Sequence, residues 1–298
     1  MDSNTQQTSP WTTKRLLEWT AEYLQKAQID QPRLCAEILL ADVLNCKRID
    51  LYVRFDYCPQ PEELTRYRQL VRRCAQQEPP AYLTGKANFY SLEFTVSPAV
   101  LIPRQETETL VTQAIDFLTR ETNRPTVDVL DLCTGSGCIA VAIASNVIEA
   151  EIIATDISPE ALQIARYNIE KYDLQSRVTL LQSDLWAQID RADKGIFDLI
   201  VSNPPYISTA EYAQLEPNVR KFEPPQALLA GEDGLDYYRR IIEQAQACLA
   251  DNASLMLEVA YNQAQEVVAL CEQSGYLRDI RVIKDTLGHQ RVVKANKN

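Results

Sequence analysis

Asn203-Pro204-Pro205-Tyr206 follows directly on the apolar run Leu199-Ile200-Val201 and Ser202. Prolines cannot donate to a sheet ladder, so a strand must end at this point. The four residues suit one demanding kind of chemistry. The nitrogen of an amide is a poor nucleophile, because its lone pair is delocalised into the carbonyl, and an exocyclic amine on a base has the same defect. Methylating either requires that the nitrogen be aimed and its N–H bonds polarised. The side-chain carbonyl of Asn203 and the backbone carbonyl of Pro204 are two acceptors, each able to take one N–H, and together they form the predicted catalytic pair. Pro204 and Pro205 hold the acceptors at little entropic cost. Tyr206 offers a flat wall to a planar substrate. In isolation such a tetrapeptide is also a plain Pro-Pro turn with an Asn cap and a core tyrosine. At the carboxyl end of a strand, where open α/β sheets bind ligands, the functional reading weighs more.

A second group precedes it. Asp131-Leu132-Cys133-Thr134-Gly135-Ser136-Gly137-Cys138 ends another apolar run and opens a helical stretch. Its glycines let the backbone turn tightly near a ligand, and Asp156 ends the next strand, where a doubly wound fold places a carboxylate on ribose hydroxyls. The spacing is neither G-x-G-x-x-G nor a P-loop, so a dinucleotide or a triphosphate fits poorly. A ligand with a ribose and a carboxylate but no phosphate fits better, and S-adenosylmethionine is such a molecule. Ser183-Asp184-Leu185-Trp186 closes a third strand and could bring a polar group and the Trp186 face to an adenine. Taken singly, the glycines also read as a plain turn and Asp156 as a cap for the helix from Ser158. Cys133 and Cys138 read as small packing residues within this loop.

The elements that must position these groups are legible in the periodicity. Apolar runs at Val127–Leu132, Ile152–Ala154, Val178–Leu181, Leu199–Val201 and Leu255–Val259 alternate with helical stretches, the pattern of a parallel sheet with crossover helices. Ile280–Lys284 and Gln290–Lys294 are expected to complete it as an antiparallel pair. Residues 11–78 read as helices, with breaks at Pro32 and around Cys58–Pro61, and Pro79-Pro80 is expected to end the last one. Phe89–Val96 alternates and reads as a hairpin. The expected division is a helical domain over 1–85, then 86–298, comprising a hairpin linker (86–103) and the α/β domain.

Bulk properties exclude several classes. Of 298 residues 46% are hydrophobic and 24% charged, an ordinary globular balance. No apolar run reaches the length of a bilayer span, and the start, MDSNTQQTSPWTTKR, lacks the apolar core of a targeting peptide. A net charge of −11 opposes binding to a nucleic-acid backbone. The eight cysteines include no C-x-x-C pair and there is one histidine, His289, so zinc-site spacing and His-based nucleophilic catalysis are both disfavoured. No metal is expected, and reduced thiols in the cytoplasm are.

Beyond these features, the chain resembles a known family. The tetrapeptide is the signature shared by amino-methyltransferases acting on DNA, RNA and protein glutamine. "PPAYLTGKANFYSLEFTVSPAVLIPRQETETLV" (79–111), "VLDLCTGSGCIAVAIA" (129–144), "TDISPEALQIARYN" (155–168), "EPPQALLAGEDGLDYYRRI" (223–241) and "KDTLGHQRVV" (284–293) are similar to the bacterial peptide chain release factor N5-glutamine methyltransferases, the PrmC/HemK family. The resemblance implies a seven-stranded Rossmann-like class I methyltransferase with a small N-terminal helical bundle joined by a β-hairpin. It implies S-adenosylmethionine as cofactor, held by Cys133, Thr134, Gly135, Ser136, Gly137, Asp156, Trp186 and Asn203. It implies class I release factors as partners of a monomer, with the glutamine of their Gly-Gly-Gln loop bound by Asn203 to Tyr206. Ribosomal-protein glutamine methyltransferases share the architecture but normally lack the run Arg104 to Glu108. A nucleic-acid amino-methyltransferase ranks lower still on charge. Gln105 replaces a usual proline, Leu257-Glu258-Val259-Ala260 a usual L-E-I/H-G, and Gly288-His289-Gln290-Arg291 a usual G-R-D/E-R. Glu258 and His289 are therefore assigned no role, and His289 reads as a surface or turn residue.

Overall fold

The computed structural model describes residues 10–120, 122, 125–190 and 195–298. The chain divides into two compact units, Met1–Gly85 and Lys86–Asn298.

The first unit is helical: α1 (Thr13–Lys26), α2 (Pro32–Val43), α3 (Arg48–Val53), α4 (Pro61–Cys74) and α5 (Pro80–Thr84). Leu16, Leu17, Thr20 and Leu24 recur at helical spacing on α1 and are buried, and the three leucines share a core with Leu39, Leu40, Leu51 and Tyr67. Prolines open helices here, because a first-turn residue needs no N–H donor. Pro32 and Pro61 sit in the first turns of α2 and α4. Pro80 does the same for α5, so Pro79-Pro80 does not end the last helix as expected. That helix stops at Cys74, and the proline pair starts a further turn, closed by Gly85 at φ +72°.

The second unit begins with a hairpin, β1 (Lys86–Phe89) and β2 (Leu92–Thr95). Its turn residues, Tyr90 and Ser91, both have positive φ (50° and 63°), the geometry normally signalled by Asn-Gly. Then follow α6 (Glu108–Arg120), β3 (Val127–Leu132), α7 (Cys138–Asn146), β4 (Ala150–Asp156), α8 (Pro159–Lys171), β5 (Val178–Gln182), β6 (Phe197–Ser202), α9 (Thr209–Tyr212), α10 (Pro217–Phe222), α11 (Asp236–Cys248), β7 (Leu249–Glu258), α12 (Ala264–Gln273), β8 (Leu277–Lys284) and β9 (Gln290–Lys297). The sheet order is β5-β4-β3-β6-β7-β9-β8, with β9 antiparallel to both neighbours and the remaining pairs parallel. One face is covered by α6, α7 and α8 with Phe89 and Phe94 of the hairpin, the other by α11 and α12. This is the doubly wound class I arrangement. β6 is buried along its whole length, which explains its continuous apolar run.

Register brings the carboxyl ends together. Leu132 lies opposite both Thr155 and Ser202, and Asp156 lies opposite Gln182. The loops after β3, β4, β5 and β6 therefore leave from one edge.

Candidate active site

A cavity of about 310 Å³ opens at that edge. The loop after β3 forms its floor. Cys133 and Gly135 have φ of 61° and 56°, and Gly137, at φ 79°, caps α7. A Cβ on Gly137 would stand 3.2 Å from that of Ala165, so glycine lets α7 and α8 approach. Thr134 N–H donates to the Thr155 carbonyl (2.9 Å), and its hydroxyl donates to Asp131 Oδ2 (2.6 Å). Burial pushes the fully enclosed Asp131 carboxyl up to about 7, against the pull of that hydroxyl.

Asp156 borders the cavity. Its Oδ2 accepts from Gly135 N–H at 2.8 Å and its Oδ1 from Ser158 N–H at 2.9 Å. Burial raises this carboxyl above the ordinary aspartate value, and those backbone donors oppose the rise. The side-chain cap of α8 is Ser158, whose hydroxyl accepts from Ala161 N–H, so Asp156 is not the helix cap. A carboxylate has room for about four hydrogen bonds, and the backbone donors use two of them.

Asn203 stands across the cavity. Its Nδ2 donates to the Thr107 hydroxyl at 3.2 Å, which turns the amide so that its Oδ1 is the atom left for another partner. The backbone beyond it is fastened by the segment 228–231: Ile207 N–H donates to the Leu228 carbonyl and Ala230 N–H to that of Ile207, each at 2.9 Å. Gln263 Nε2 donates to the Tyr206 carbonyl at 2.9 Å. A Cβ on Gly234, at φ 76°, would lie 2.5 Å from that same carbonyl oxygen, so only glycine fits there. Arg104, which lines the cavity, pairs with the buried Glu223.

Cys133, Thr134, Gly135, Ser136, Asp156, Asn203 and Pro205 thus line one cavity. Gly137 and Pro204 are not among its lining residues, and Tyr206 packs against the core formed with α11 and α12. Trp186 departs from expectation. It is 8% exposed, packs into that core and donates Nε1–H to the Arg240 carbonyl. Leu185, at φ 50°, turns the chain so that Ser183, Asp184 and Leu185 meet the cavity and the indole turns inward. The aromatic ring at the cavity is Tyr237, a residue the motif reading passed over although it lies inside the quoted segment 223–241. Thr107 and Asn168 were also missed. Asn168 is fully buried, donates to the Ser136 and Thr95 carbonyls (2.9 and 3.0 Å) and accepts from Thr95 N–H (2.7 Å). His289 is an exposed residue of the β8–β9 turn.

Two family models match: the PrmC N-terminal domain over residues 15–85 and the methyltransferase small domain over 109–217. The release factor glutamine methyltransferase of Rhodopirellula baltica is 45% identical over 99% of both chains. The chain belongs to the release factor glutamine methyltransferase family. Another protein of that family name, from Geobacter sulfurreducens, is 41% identical over 95% of this chain and 96% of its own. The hMettl16 catalytic domain, solved with a 3′UTR hairpin, superposes with a TM-score of 0.54 over 80% of this chain and 82% of that one. At 14% identity it is a fold likeness. For a member of this methyltransferase family the cofactor is S-adenosylmethionine, and the residues present fit it. The acidic groups Asp156, Asp184 and Glu160 line the cavity, a field that favours a sulfonium cation, and Asp156 keeps acceptor capacity for hydroxyls.

Proposed function

We propose that this chain methylates the side-chain amide nitrogen of the glutamine in the Gly-Gly-Gln motif of class I peptide chain release factors, in the cytoplasm. The observation that carries the reading is the Asn203 amide, held by Thr107 with its carbonyl oxygen available at the cavity wall. When bound, S-adenosylmethionine supplies an electrophilic methyl group. Asp156 would accept from its ribose hydroxyls, the 133–136 loop would help hold it, and the Tyr237 ring would offer it a flat surface. Asn203 Oδ1 accepts one N–H of the substrate amide and the Pro204 carbonyl the other. That fixes the nitrogen and draws electron density onto it. Positioning then supplies most of the rate, because a fixed in-line approach replaces a rare collision. The proton leaves the product nitrogen afterwards without a histidine.

We infer further that the helical unit recognises the protein partner, since one glutamine on one loop gives little area for discrimination. Family membership and an exposed aromatic group on α1 support this: Trp19 stacks on Tyr23, and Trp11 packs edge-on to Trp19 under the Arg15 guanidinium.

The test is incubation of the purified chain with labelled cofactor and a class I release factor, followed by mass mapping. One methyl group on the Gly-Gly-Gln glutamine is expected. A release factor left unmodified while another protein of a lysate is labelled would overturn the reading.

A further inference from the structure

Glu258 ends β7 and is 1% exposed, yet its Oε2 has no hydrogen-bond partner among the described residues. A buried carboxylate with an open oxygen is costly and usually has a reason to stay. It lies one hydroxyl away from the candidate site. The Thr107 hydroxyl, in a residue 2% exposed, lies beside Glu258 and favours its charged form, and the same oxygen accepts from Asn203 Nδ2 at 3.2 Å. We propose that Glu258 and Thr107 are positioning residues that set which atom of the Asn203 amide faces the substrate. The proposal rests on Asn203 as the substrate acceptor and adds what holds it.

The direction follows from donor counting. A hydroxyl has one proton and two acceptor positions. An ionised carboxylate accepts only, so Thr107 spends its proton on Glu258 and presents a lone pair to Asn203. The amide must then turn its NH2 to Thr107 and its oxygen to the cavity. A neutral partner at 258 can also donate. That frees the Thr107 proton for Asn203 Oδ1 and admits the flipped amide, which would present NH2 groups to an N–H substrate and repel it. Glu258 keeps this direction only while ionised. Burial raises its carboxyl to about 7, against the Thr107 bond and the nearby Arg291 and Arg104, while Glu106 adds to the rise. Tyr206, Tyr238 and Cys138 also feel its charge; burial raises all three above their ordinary values, so they remain neutral near pH 7.

Three variants of the full chain test this. Thr107→Val keeps the shape and removes the hydroxyl; kcat should fall about ten- to a hundredfold, the scale of a misdirected buried hydrogen bond. KM for the protein substrate and calorimetric cofactor affinity should stay near wild type. Thr107→Ser should restore most of the rate. In the wild type kcat should rise with pH through about 7, whereas Glu258→Gln should sit several-fold below that plateau and lose this step. The second readout needs no substrate: in nitrogen-resolved magnetic resonance, the Asn203 side-chain NH2 signal should move with pH in the wild type and hold still in Glu258→Gln. If Thr107→Val does not fold, the magnetic resonance titration and the Glu258→Gln profile still decide. An Asn203 signal indifferent to pH and to Glu258→Gln would overturn the positioning role. An Asn203 signal that responds in a protein inactive on release factors would uphold it and discard the substrate assignment instead.

Discussion

Asp156 accepts from two backbone N–H groups, which hold the Gly135 loop against α8, and the proposed cofactor role would use its remaining acceptor capacity. Asp156→Ala should weaken S-adenosylmethionine binding by about 1.5–3 kcal/mol, the value of charge-assisted bonds, read by calorimetry; unchanged affinity would exclude Asp156 from the cofactor site. Asn203→Ala should remove most methyl transfer while sparing cofactor affinity, and near-normal turnover would refute the acceptor role. Glu258 has a thermodynamic signature as well. Its folded value of about 7 lies above the ordinary 4.5, so the folded chain holds that proton more tightly than the unfolded one. The stability involved is fully present below the ordinary value and is lost as pH rises through about 7. Glu258→Gln should therefore raise the melting temperature at about pH 8, by roughly 1–3 kcal/mol in free energy, and change little at about pH 4. A variant less stable at the higher pH would contradict a strained carboxylate. Such a residue illustrates activity kept at the expense of stability.

At the scale of elements, Asn168 joins three pieces: the loop after β3, strand β2 and helix α8. Asn168→Ala leaves buried backbone groups of Thr95 and Ser136 unpaired, so it should cost about 1–3 kcal/mol in urea unfolding and loosen cofactor binding too. A loss of stability with intact affinity would mean that the loop holds its shape without the clamp. Most of the sheet was legible beforehand, because buried parallel strands are continuous apolar runs: Val127–Leu132 coincides with β3, and the short run Leu199–Val201 lies inside the longer β6. What escaped has identifiable causes. Proline both stops and starts helices, which hid α5 behind Pro79-Pro80. Trp186 looked like a ligand face because its motif ends a strand, and only the left-handed turn at Leu185 sends it inward. Thr107 and Tyr237 come from segments distant in sequence, and nothing local marks a threonine as the support of an asparagine 96 residues away.

For the whole molecule, the division of labour between units can be tested without cutting the chain. Trp19 is 47% exposed on α1, and large exposed aromatics are the residues on which protein partners anchor. Trp19→Ala should lower kcat/KM on a whole release factor by about 1–2 kcal/mol, through KM, with cofactor affinity intact. An unaltered KM would leave the helical unit a role in stability alone. The sheet order has its own consequence. β9 is made after β8 yet lies between β7 and β8, so during synthesis β8 has no sheet neighbour to zip onto until β9 emerges. Arg291, one of two cations near Glu258, arrives with that strand. The nascent protein thus stays an unfinished enzyme until β9 is translated, and a chain cut short before β9 would carry every cavity-lining residue and still lack the Arg291 charge beside Glu258.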